Sequence, residues 1–95
     1  MASAVMLTVF CYDLEESRDR RRVSTLLQTQ AVRVQKSVFE AWLPEDVAVR
    51  LSEKAAAMLG PNDSLRVYSI SADGYRRTKA YGASALLGPE NYYLV

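Results

Sequence analysis

Residues 5–13, VMLTVFCYD, constrain this chain more than any other stretch. Side chains alternate between the two faces of a strand. Val5, Leu7, Val9, Cys11 and Asp13 therefore share one face, and Met6, Thr8, Phe10 and Tyr12 the other. Both sets are mainly apolar, so the segment reads as a central strand covered on both sides. It ends in Asp13, and Arg18, Arg20, Arg21 and Arg22 follow within nine positions. An acidic residue at the end of such a strand sits at the rim of a sheet, where backbone and ligand can meet. Asp13 is thus the first candidate for chemistry.

The bulk of the chain narrows what that chemistry can be. Its 95 residues supply one domain, 1–95, with no room for a second core. No apolar run reaches the roughly 18 residues of a spanning helix, so no membrane association is expected. The opening MASAV lacks the basic region and spacer of a secretory leader. A single cysteine excludes an internal disulfide, and the expected compartment is the cytoplasm. With no histidine, the usual zinc sites and histidine-activated nucleophiles are excluded. Acid, base or metal chemistry must rest on carboxylates, tyrosines, lysines or Cys11. The net charge of +1 hides two basic groups, Arg18–Arg22 and Arg76, Arg77 and Lys79, against acidic Glu15, Glu16, Asp19, Glu45 and Asp46. Such clusters permit a nucleic-acid partner without requiring one.

After the first strand, Leu14 to Arg18 reads as a polar turn, and Ser17 or Asp19 is placed to cap a helix near 19–30. Val23, Leu26, Leu27 and Gln30–Ala31 form its buried stripe. Arginines at a helix start oppose the macrodipole, so Glu15, Glu16, Asp19 or an anionic partner must compensate. Residues 32–43 divide into two short strands with a bend at Lys36–Ser37, because Val32 and Val34 alternate whereas Val38 and Phe39 are adjacent. Pro44 opens a second helix at its first position, with Glu45 and Asp46 in the first turn. Val47, Leu51, Ala55, Met58 and Leu59 make its apolar stripe, and Gly60–Pro61 stops it.

Leu65–Ile70 alternates as a further strand, Ala72–Asp73–Gly74 reads as a turn, and Tyr75 to Pro89 has no firm period. Asn91–Val95 is strand-like again, so residues 71–95 form a C-terminal tail with an edge strand. The order predicts an α+β protein, the ferredoxin-like split βαβ sandwich (βαββαβ) with a C-terminal edge strand. Its helices cover one sheet face. The other apolar face predicts a homodimer, with the tail as clasp.

Two readings of Asp13 stand open. It is a ligand for a hard divalent ion such as Mg²⁺ or Mn²⁺, with arginines guiding a phosphate backbone, or it caps the turn and pairs with Arg18 or Arg20. One carboxylate makes a poor metal site. A second would come from Glu15, Glu16, Asp19 or the same residue of a twofold-related subunit. The arginine run is either a solvated face or a phosphate-binding one, suited to the planar guanidinium fork. Phe10 and Phe39 suit a core or a dimer face as well as a base-stacking sheet, and the RNP-type pattern is absent. Cys11 reads as a small core residue. Ser37 lacks an activating base and reads as a bend-stabilising hydroxyl. Arg66 and Tyr68 reach the surface beside the central strands. Tyr12 points to the face opposite Asp13, as a structural group or a hydrogen-bond donor behind the site.

Three blocks carry a resemblance. They are Val9–Leu14 followed by Asp19–Val23, then Arg33–Val34–Gln35–Lys36–Ser37–Val38–Phe39–Glu40, then Asp63–Ser64–Leu65–Arg66–Val67–Tyr68. Together they resemble the small CRISPR-associated ferredoxin-like endonuclease family that partners the integrase in spacer acquisition. The likeness runs from residue 7 to about 70, and the middle block at that distance from the first is its specific part. The resemblance implies a homodimer whose sheets stack, so that the Asp13 carboxylates of both subunits meet and bind one Mg²⁺ or Mn²⁺. It implies metal-dependent endonuclease activity on single-stranded RNA or double-stranded DNA, with Arg18, Arg20, Arg21 and Arg22 facing phosphate. Tyr12, Asp19, Arg33, Ser37, Phe39 and Arg66 are the candidates for supporting roles. The alternative is a non-catalytic dimeric bridge that holds DNA between integrase subunits. The chain departs from the pattern before Arg33, where the family often has a glycine and this sequence has Gln30–Ala31–Val32.

Overall fold

β1 (Val5–Asp13) lies in the middle of a sheet, as its two apolar faces require. The structure, a computed structural model, describes residues 5–83, 86 and 88. β1 is followed by α1 (Ser17–Leu27), β2 (Val32–Gln35), β3 (Val38–Pro44), α2 (Glu45–Ala56), β4 (Ser64–Ile70) and the short α3 (Ala72–Arg76). The strands pair in the order β2-β3-β1-β4, and every neighbouring pair is antiparallel. β3 thus splits β1 from β2. This is the expected ferredoxin-like βαββαβ sheet. The C-terminal edge strand expected at 91–95 lies outside the described residues. No helix among the described residues is long and apolar enough to cross a membrane.

Register follows from burial. Phe10 stands opposite Phe39 across β1 and β3, and neither ring has any exposed surface. They anchor the helix-side core with Tyr12, Ala41 and Leu43 from the sheet, Val23 and Leu27 from α1, and Ala48, Leu51 and Ala55 from α2. Burying one such large side chain contributes about 1.5–3 kcal/mol relative to leaving it in water. A slip of one residue in β1 would turn Phe10 and Tyr12 away from this core, so the alternation of β1 also locks the pairing.

Several local expectations shift. Neither Ser17 nor Asp19 caps α1; Glu16 precedes it and makes no side-chain cap bond. The helix ends at Leu27 rather than near 30, because its carbonyls are taken up by a tightening turn. Thr29 N–H donates to Leu26 O (3.2 Å), Gln30 N–H to Leu27 O (3.1 Å), and the Thr29 hydroxyl to Leu26 O (2.7 Å). Pro44 is the last residue of β3 and the cap of α2, one place earlier than expected; its extended backbone still ends the strand and admits the helix. The bend at Lys36–Ser37 is present, with an irregularity in the β2–β3 register between Arg33 and Gln35.

Ala72–Asp73–Gly74 is helical rather than a plain turn, since the Ser71 hydroxyl accepts from Gly74 N–H (3.0 Å) and caps α3. That helix changes the picture of the second sheet face. Its Tyr75 meets the Trp42 ring edge-on, with centroids 4.8 Å apart, over Leu7, Val5 and Ile70. The chain therefore covers one end of this face itself. At the other end Val9 and Cys11 are only half-buried, and Arg66 and Tyr68 are exposed.

Candidate functional site

The end of β1 and the start of α1 diverge at Leu14–Glu16, and a groove of about 360 Å³ opens beside them. β1 supplies Tyr12 and Asp13, α1 supplies Arg20 and Arg21, and β2 with its turn supplies Arg33, Lys36 and Ser37. The turn is brought alongside by Tyr12 N–H, which donates to Ser37 O (3.1 Å) and carries β1–β3 pairing past the end of the strand. Four cationic side chains thus surround one carboxylate.

Asp13 is exposed and its side chain makes no hydrogen bond or ion pair with the described residues, so its carboxylate oxygens are available. The pairing with Arg18 or Arg20 left open by the sequence does not form. Arg18 lies 3.9 Å from Asp19. Arg20 uses Nη1 to donate to Leu14 O (2.8 Å) and Glu15 O (2.9 Å), tying down the loop that follows Asp13.

The arginine run divides between two surfaces. Arg20 and Arg21 line the Asp13 groove, whereas Arg18 and Arg22 line a neighbouring one with Leu26 and Met58, and Arg21 borders both. Asp19 sits among the second group, with Arg22 at 3.5 Å, and does not line the Asp13 groove. It supplies the acidic first-turn charge that α1 requires.

The supporting candidates also separate. Tyr12 is buried and stacks on Phe39 with ring centroids 6.2 Å apart. Phe39 is wholly buried, so it touches no ligand directly; it forms the floor beneath the Arg33 guanidinium, 5.1 Å above its ring. Arg66 lies across from Cys11 on β4, outside the groove. It donates to the Tyr68 hydroxyl (3.1 Å), and that bond holds its pKa above the ordinary arginine value.

Two residues gain a place that the sequence reading did not assign. Lys36 lines the groove from the turn between β2 and β3, and that bend was itself legible. Asp63 lies outside the groove but accepts from Glu15 N–H (3.0 Å) through Oδ1 and from Gly60 N–H (2.7 Å) through Oδ2. These bonds, Glu15's first, hold its carboxyl below the usual aspartate value. Its position in the Asp63–Tyr68 block was the available signal.

A divalent ion is tested by the donors present. Among the described residues no three acidic or thiol side chains cluster. Asp13 alone faces the groove, but its hard oxygens suit Mg²⁺, which takes one or two carboxylates and keeps several waters. The donor set fits such an ion if each of two chains brings one Asp13.

A CRISPR-associated endoribonuclease Cas2 of Synechocystis is 32% identical over 87 residues, spanning 90% of this chain and 94% of the relative. Another from Chloroflexus aurantiacus is 34% identical over 91 residues, spanning 95% and 98%. Among solved structures, a hypothetical protein from Thermus thermophilus matches with a TM-score of 0.75 at 28% identity, over 87% of this chain and 98% of that one. A chain of a partial Cas6-RT-Cas1–Cas2 complex matches with a TM-score of 0.66 at 25% identity, over 79% and 89%. The family model described as CRISPR associated protein Cas2 matches residues 6–78, through all four strands and the groove, and the chain belongs to that family.

Proposed function

We propose that this protein is a metal-dependent endonuclease of CRISPR adaptation, acting as a homodimer on phosphodiester bonds of single-stranded RNA or double-stranded DNA. One observation carries the reading: the Asp13 side chain stands exposed and unengaged in a groove that it shares with Arg20, Arg21, Arg33 and Lys36. The half-covered sheet face beside it, with Val9, Cys11, Arg66 and Tyr68, is where a second copy would bring a second Asp13. The two carboxylates would hold Mg²⁺ or Mn²⁺, which supplies Lewis-acid charge at a phosphoryl oxygen.

The rest falls to the chain's own side chains. Arg21 and Lys36 attract phosphate by charge, and Arg33, braced on Phe39, presents a fork of donors in a fixed plane. Arg20 keeps its place on the backbone, fixing the loop and adding charge to the groove wall. Without an ion, two Asp13 carboxylates brought close would repel. A single cysteine, which allows no internal disulfide, suits the cytoplasm.

A second reading rests on the excess of cations over carboxylates in the same groove. It is a non-catalytic bridge that holds duplex DNA between subunits of the CRISPR integrase, in line with the neighbour from a Cas1–Cas2 assembly. The deciding experiment is cleavage of labelled single-stranded RNA and duplex DNA with Mg²⁺, Mn²⁺ or chelator, beside Asp13→Asn. Cleavage that needs metal and vanishes in the variant is the expected result, with nucleic-acid affinity in chelator retained. Cleavage that persists in the variant removes Asp13 from catalysis, and no cleavage by either protein leaves the bridging role.

A further inference from the structure

The loop that leaves Asp13 is held from both sides by side chains. On its carbonyl side, Arg20 donates to Leu14 O and Glu15 O. On its amide side, Asp63 accepts from Glu15 N–H across 48 positions of sequence. The β1–β4 ladder closes with Asp13 opposite Ser64, so the Asp63 side chain extends pairing one step beyond the backbone ladder. Its other oxygen holds Gly60 N–H at 2.7 Å, which braces the carboxylate against the turn between α2 and β4. Asp63 lines no part of the Asp13 groove, and its oxygens are occupied by these two amides.

We propose that Asp63 is a positioning residue: by gripping the Glu15 amide it fixes the direction in which Asp13 presents its carboxylate to the groove. The inference rests on the reading of Asp13 as the reactive carboxylate. Its physical basis is that the Asp13 side chain has no hydrogen bond of its own among the described residues, so its aim is set by the backbone on either side. Upstream, the sheet holds that backbone; downstream, Asp63 and Arg20 do. Release of one grip lets the peptide after Asp13 rotate, and a displacement of about 1 Å at a reacting group can cost roughly 10²-fold in rate. Affinity for nucleic acid, which rests on Arg21, Arg33 and Lys36, is untouched.

The test compares wild type, Asp63→Ala and Asp63→Asn by three readouts. They are amide hydrogen exchange at Glu15, the carboxyl carbon resonance of Asp13, and single-turnover cleavage with Mn²⁺ alongside Kd in chelator. Asparagine keeps one acceptor oxygen and should fold even where alanine does not. The expected result is faster Glu15 exchange and a shifted Asp13 resonance, with cleavage about 10²-fold slower in alanine and less so in asparagine. Kd stays unchanged. An unaltered Asp13 resonance overturns the proposal, as does a loss of cleavage matched by an equal loss of affinity. If wild type cleaves nothing, the nuclease reading fails by itself, and the Asp13 resonance decides whether Asp63 positions that side chain.

Discussion

Asp63 also carries a pH dependence whose sign is fixed by its bonds. Two backbone N–H groups stabilise the charged carboxyl, so its folded pKa lies below the unfolded value. Such a group adds stability above the unfolded pKa and loses it as pH falls through the folded one. Wild type should therefore melt above Asp63→Asn at neutral pH, and the two should converge as pH drops below about 4. Thermal melts across that range check it; a gap that persists into strong acid would sink the assignment. Exposed pairs such as Arg50 with Asp46 should contribute far less, because solvent screens them. Asp63 was not legible as a staple from the sequence. Its acceptors meet amides at Glu15 and Gly60, and nothing local in Asn62–Asp63–Ser64 distinguishes this from an ordinary turn.

At the scale of one element, α1 shows what a charge run conceals. Read linearly, Arg18, Arg20, Arg21 and Arg22 form one basic surface. Successive residues on a helix turn through about 100°, so neighbours in sequence diverge in space. Arg20 accordingly faces the Asp13 groove, Arg21 borders both grooves, and Arg18 and Arg22, each beside Asp19, line the next. The helix period was available in the sequence, but its phase relative to Asp13 depends on the loop pinned by Arg20. We predict that Arg21→Ala and Arg33→Ala each weaken nucleic-acid binding and lower the salt slope by about one. Arg22→Ala, whose guanidinium is already opposed by Asp19, should change that slope less. Titration of a labelled duplex at several salt concentrations measures it, and equal slopes for all three variants would show that the two grooves act as one.

For the whole molecule, the decisive feature is the sheet face away from α1 and α2. Its apolar phase in β1 was plain in the sequence, and so was the need to cover it. That α3 would cover one end was not, because a single helical turn at Ala72–Arg76 leaves too short a pattern, and only the Tyr75–Trp42 contact gives it a place. What remains is the strip near Asp13, where Val9 lies opposite Glu40 on β3 and Tyr68 on β4. If a second copy stacks here, a carboxylate at Val9 would be buried beside Glu40 and the partner's like surface, at a cost of several kcal/mol. In a lone chain Val9 is only half-buried, so the same group would cost less there. Val9→Glu should therefore convert a dimer to a monomer with an unchanged circular dichroism spectrum. Val49→Glu, on the exposed side of α2, should leave the assembly intact. Sedimentation velocity separates the two. Because each chain contributes one Asp13, the Val9→Glu monomer should also lose metal-dependent cleavage while keeping its groove of cations. A monomeric variant that still cleaves at the wild-type rate would place a complete reactive site within one chain, and the shared carboxylate pair would have to be abandoned.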